Sequence, residues 1–293
     1  SRAVPAAGAM LAGTVIFYLT DLAAGAPAQI DSIFGYTSIG GWRYFGLGNL
    51  NFAMLAAATL LLAGMVADRA WIGSRVLAMA IVAVTVTFIG HPLLGADVGG
   101  TLAMVPAAAV LAYGIFGQRR MRLAHLPLLA LGGLALAGLF AAIDLSRPPQ
   151  SRSHLGDFLV TVAADPEGAL VLLRRKAGLV LSPRLSSPWF LAVPTAAAVL
   201  VTLHRRSEPW RQLLARRRGL RSGLKALIVA AVAGSLLNDS GLSVAAVMLA
   251  LGAPWALLVA SEARRPHRQA AEEQRSVSTA LLDRASWARR SGS

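Results

Sequence analysis

Eight long apolar stretches separated by short connections constrain this chain more than any other feature. They run at about 4–24, 48–67, 73–94, 99–117, 124–145, 187–203, 223–238 and 241–261. A helix needs about 20 mostly apolar residues to cross the hydrocarbon of a bilayer. Backbone inside lipid must satisfy its own N–H and C=O groups, and a helix does so internally. The expected fold is therefore all-α: a polytopic transmembrane helical bundle of about 8 spans, with amphipathic helices on its outer face. Composition agrees. Charged residues make up 14% of the chain and hydrophobic ones 56%, whereas a soluble domain carries roughly a quarter charged residues. Disorder is excluded as well, since it requires low hydrophobicity. With no cysteine in the chain, a disulfide framework, a Cys-ligated zinc or iron–sulfur site and a cysteine nucleophile are all ruled out.

The distribution of charge gives an orientation, because cytoplasmic loops retain Lys and Arg. Alternate connections are basic. They hold Arg69 and Arg75, then Arg119, Arg120 and Arg122, then the run from Arg205 to Lys225, and last the tail beginning at Arg264. Together with Arg2 this side has 21 bases against six acids, and the other side has seven bases against eight acids. An even number of spans with both termini cytoplasmic follows. The net charge of +14 is thereby explained by topology and by contact with membrane lipids, and no nucleic-acid partner is expected. Residues 1–261 form the transmembrane domain. Within it, 26–47 is an interfacial or re-entrant loop and 146–185 an outer amphipathic segment, while 262–293 is a polar cytoplasmic tail.

The unusual polar residues collect on the side opposite these bases. The loop before span two is rich in glycine and aromatics and contains Arg43 and Tyr44, with Asn49 at the following helix start. The connection between spans three and four holds His91 and Asp97. The segment after span five holds Arg147, Arg152, His154 and Asp157. Asn238 and Asp239 lie in the two-residue break between spans seven and eight. Each group has a plain structural explanation. Aromatics anchor loops at a membrane interface, Asp97 is placed to cap span four, and Asp239 or Ser240 is placed to cap span eight. A functional alternative stands beside these. Arg43, Tyr44, Asn49, His91, Arg147, Arg152 and Asn238 would bind an anionic substrate, since Arg suits phosphate and carboxylate. His154, Asp157, Asp239 and Asp97 would be the catalytic groups, with histidine acting as a base near neutral pH. The carboxylates would suit a hard divalent cation such as Mg²⁺.

Several of these stretches, in this order, resemble a family of bacterial polytopic membrane proteins. They are Phe34-Gly35-Tyr36, the run from Gly41 through Arg43-Tyr44-Phe45-Gly46 to Gly48-Asn49, Gly95-Ala96-Asp97-Val98-Gly99-Gly100, Ser153-His154-Leu155-Gly156, Arg175-Lys176 and Asn238-Asp239-Ser240-Gly241. The resemblance extends to about residue 260. It implies a multi-pass protein of a bacterial plasma membrane with its polar motifs facing outward. Some longer relatives resemble fusions to an alkaline-phosphatase-like domain, whose metal-ligand signature this chain lacks. Asn49-Leu50-Asn51 stands where some relatives carry an acidic residue after the Asn.

Three functions fit the sequence. The first is handling of a phosphorylated or lipid-linked cell-envelope substrate at the outer site, and whether this amounts to an enzyme is left open. The second is transport of a small solute or ion, for which interrupted spans are the usual sign. The third is a membrane scaffold or anchor for a protein partner. No P-loop, dinucleotide fingerprint, zincin motif or nucleophile elbow competes with them.

Overall fold

A computed structural model describes residues 3–33, 46–117, 123–165, 167–168, 170–171, 174, 189–238 and 240–264. All regular elements among them are helical. We number ten α-helices in chain order: α1 (Ala3–Ala23), α2 (Asn49–Ala67), α3 (Ser74–Gly90), α4 (Val98–Phe116), α5 (Leu126–Leu145), α6 (His154–Ala164), α7 (Trp189–Arg206), α8 (Glu208–Arg216), α9 (Arg218–Leu237) and α10 (Leu242–Arg264). Six of these, α1, α2, α4, α5, α9 and α10, are long and apolar enough to cross a membrane. The other two expected spans are also helical. At 17 residues α3 is slightly short, and α7 ends in His204-Arg205-Arg206, which lowers its apolar length.

The all-α expectation holds, and the eight apolar stretches correspond to eight helices. Boundaries shift by a few residues, most at the start of span seven. Span seven was expected from about 223, yet α9 begins at Arg218. The Asp68 carboxylate explains this, since it accepts hydrogen bonds from Gly219 N (2.7 Å) and Leu220 N (2.8 Å). A carboxylate on these unsatisfied N–H groups extends a helix that apolar periodicity alone would start later.

At the centre lies α2, which packs against α1, α3 and α9, while α4 packs against α3, α5 and α9. Its sequence is apolar on every face, as expected of an enclosed helix. Phe52, Leu55, Leu60 and four consecutive small residues, Ala56, Ala57, Ala58 and Thr59, are buried. Small residues let helices approach closely in a membrane, where packing replaces the hydrophobic drive between them. The closest approach is at Gly64, Gly219 and Gly223. A methyl at Gly223 would lie 2.8 Å from Leu60 O, and one at Gly64 would lie 2.7 Å from Gly219 O. Gly219 and Gly223 are spaced four apart, the small-xxx-small pattern of membrane helix pairs. Between α2 and α3, Thr59 and Thr85 share a buried hydrogen bond of 3.3 Å.

The helices alternate in direction, so the bundle has two distinct ends. Asp68 meets the start of α9 at one of them, and Arg264 Nε donates to Ser207 Oγ (3.2 Å) there. Gly8, near the start of α1, faces Met65, near the end of α2. The first and last described residues therefore share this arginine-rich end. The opposite, loop-rich end gathers the α1–α2, α3–α4, α5–α6 and α9–α10 connections.

Candidate functional site

At the loop-rich end, the chain leaves α1 through Gly25 (φ 90°) and Ala26 (φ 64°). This reversal folds the short turn Pro27–Gln29 back over the top of α2. Asp21 of α1 accepts from Ala28 N (2.8 Å) through Oδ1 and from Gln29 Nε2 (3.0 Å) through Oδ2. Gln29 Oε1 accepts from Gly48 N (3.0 Å) and Asn51 Nδ2 (2.9 Å). Tyr18 OH completes the chain by donating to Asn51 Oδ1 (3.0 Å). All four side chains are buried. Desolvated polar groups are tolerated when they satisfy one another, and this network ties α1, its following loop and α2 into one unit.

The α3–α4 connection packs against the same loop. Leu47 N donates to Gly95 O (2.7 Å). Gly46 (φ 88°) admits this contact, because a Cβ there would stand 2.5 Å from Gly95 O. His91 ends α3, its Nδ1 accepts from Leu93 N (3.2 Å), and its ring meets Phe140 edge-on. Asp97 caps α4 by accepting from Gly100 N (2.8 Å) through Oδ1, as the sequence led us to expect.

A second carboxylate organises the α5–α6 connection. Asp144, fully buried, accepts from Ser153 N (3.0 Å), Ser153 Oγ (2.6 Å), Gly156 N (2.8 Å) and Arg147 (3.0 Å). It caps α6 across a turn. Arg147 also donates to Pro92 O (3.4 Å), joining this connection to the previous one. Arg152 donates to Leu145 O (3.3 Å), at the end of α5, and to Arg147 O (3.2 Å), in the turn that follows.

At the α9–α10 break, Asn238 ends α9, and Asn49 Nδ2 donates to Ser240 Oγ (2.6 Å). Gly99, in the first turn of α4, abuts Leu237 O. The positive end of one helix thus meets the negative end of another, a favourable pairing of dipoles. Asn238 is buried; its Oδ1 accepts from Ser240 N (3.5 Å), and its Nδ2 has no hydrogen-bond partner among the described residues.

These contacts place the expected site residues. Asn49, His91, Asp97, Arg147, Arg152 and Asn238 all lie at one end of the bundle, and the side chain of each hydrogen-bonds within the chain. Asp157 is exposed in the first turn of α6. His154 starts that helix, and its side chain lies outside the described residues, as do Arg43, Tyr44 and Asp239. Among the described residues no group of three or more His, Asp or Glu could hold a metal ion. Sequence reading missed Tyr18, Asp21, Gln29 and Asp144 as organising groups. Their one visible signal was a polar residue in, or just beyond, the last turn of an otherwise apolar span, which is costly unless it serves a purpose.

The fold and its apolar helices define an integral, multi-pass membrane protein. No family model, curated protein or solved structure matches the chain.

Proposed function

We propose that the protein is a membrane-embedded scaffold that presents its loop-rich end as a rigid platform to a protein partner. One observation carries this reading. Arg147, through Nη1, and Arg152, through Nε and Nη2, hydrogen-bond to Asp144 and to backbone carbonyls of their own end of the bundle. Asp97, which would have been catalytic, caps a helix. The platform faces outward from a bacterial plasma membrane and both termini are cytoplasmic. The unequal charge at the two ends and the resemblance to bacterial multi-pass proteins support that orientation.

A second reading, the handling of a phosphorylated or lipid-linked envelope substrate at the same end, draws on the Nδ2 of buried Asn238, which has no partner among the described residues, beside the start of α4. Transport of a small solute has no comparable observation in its favour. One experiment separates the first two readings. Purified R152A and D97A are compared with the parent for thermal stability and for binding of a short-chain polyprenyl phosphate. The scaffold reading expects lower stability of both variants and no polyprenyl-phosphate binding by the parent that depends on Arg152 or Asp97. Tight binding by the parent that both variants lose, at unchanged stability, would establish the substrate reading instead.

A further inference from the structure

The arginine-rich end carries more positive charge than its fold requires. Arg205, Arg206, Arg216, Arg218 and Lys225 are exposed there and have no acidic partner among the described residues. Arg211 is already paired with Glu208. The element between α7 and α9 is α8, a short amphipathic helix. Trp210 is buried on its inner face, with Leu213 and Leu214 packed against the core, and its arginines face outward. This seats α8 at the level where the ends of the apolar helices meet headgroups, the geometry of an interfacial helix. The charges at α9 are also placed against its dipole. Bases favour a helix C-terminus, as His204–Arg206 do in α7. Arg217 and Arg218, however, crowd the N-terminal end of α9, where Asp68 is the described carboxylate that opposes them. An external anion at this level removes the conflict.

We propose that this face binds the phosphate groups of anionic phospholipids through Arg205, Arg206, Arg216 and Arg218, with α8 as its floor. The full-length protein in nonionic detergent is titrated with phosphatidylglycerol or phosphatidylcholine and followed by native mass spectrometry and thermal unfolding. Phosphatidylglycerol binds and raises the unfolding temperature, raised salt weakens it, and phosphatidylcholine does neither. The variant R205Q/R206Q/R216Q/R218Q loses affinity by about fivefold per charge removed, and the matching Lys variant keeps it. Should the Gln variant fail to fold, E208Q serves in its place, because releasing Arg211 increases the affinity. Equal responses to the two lipids, unchanged affinity in the folded Gln variant, no gain in E208Q, or a DNA duplex that binds as tightly as phosphatidylglycerol and displaces it would each overturn the proposal.

Discussion

Two residues hold most of the loop-rich end together. Asp144 receives four donors while fully buried, so removing the carboxylate leaves Ser153, Gly156 and Arg147 without their acceptor. Loss of one partner from a buried charged pair costs about 3–5 kcal/mol. D144A is expected to lose that much stability in detergent unfolding, and S153A about 1 kcal/mol. Gln29 is the second, since it bridges Asp21 to Asn51 and Gly48. Q29L strands three buried polar groups and is expected to cost at least about 1–3 kcal/mol by the same assay. These roles were only partly legible. Asp97 announced itself by preceding a helix start with glycines after it. Asp144 and Gln29 did not, because what they bind is set by how the chain folds back after a span, and no spacing within one helix encodes that. At the other end, hydrogen bonds from Arg211 and Gln212 hold the exposed Glu208 carboxyl below its ordinary value. A depressed carboxyl contributes above its ordinary value and loses its effect as pH falls through the lowered one. The Arg211 pair, and with it the lipid affinity of the parent, is therefore expected to stay constant from neutral to mildly acidic pH.

Among the elements, the glycine crossing of α2 on α9 makes the sharpest prediction. G223A places a methyl 2.8 Å from Leu60 O and G64A places one 2.7 Å from Gly219 O. Overpacking of this kind typically costs about 1–3 kcal/mol. Gly132 and Gly138 of α5 have nothing within 4 Å of an added Cβ, so G132A and G138A should be neutral or stabilising by up to about 1 kcal/mol. Unfolding of the four variants side by side tests whether the crossing, rather than glycine content, holds the bundle. Apolar length predicted the eight long helices well, because membrane spans are limited by a single quantity, whereas α8 falls in a connection that reads only as basic. It predicted partners poorly. Gly219-Leu220-Arg221-Ser222-Gly223 carries arginine within its small-xxx-small spacing and so reads as loop until Asp68 is seen to cap it.

For the molecule as a whole, the alternation of basic and neutral connections had already divided the chain into two ends, and the helices bear this out geometrically. Ala3 and Arg264 belong to the arginine-rich end, while Asn49, Asp97, Asp144 and Ser240 belong to the other. The central claim is that these ends lie on opposite sides of one membrane, with the braced platform outside and the basic face inside. The cysteine-free sequence provides a clean background for single-cysteine labelling. Ile33 at the loop-rich end and Ile72 at the arginine-rich end are both fully open, at 95% and 103% relative exposure. A membrane-impermeant maleimide should label I33C in intact cells and I72C only after permeabilisation. Labelling of both from the same side, or of I72C alone in intact cells, would contradict the account.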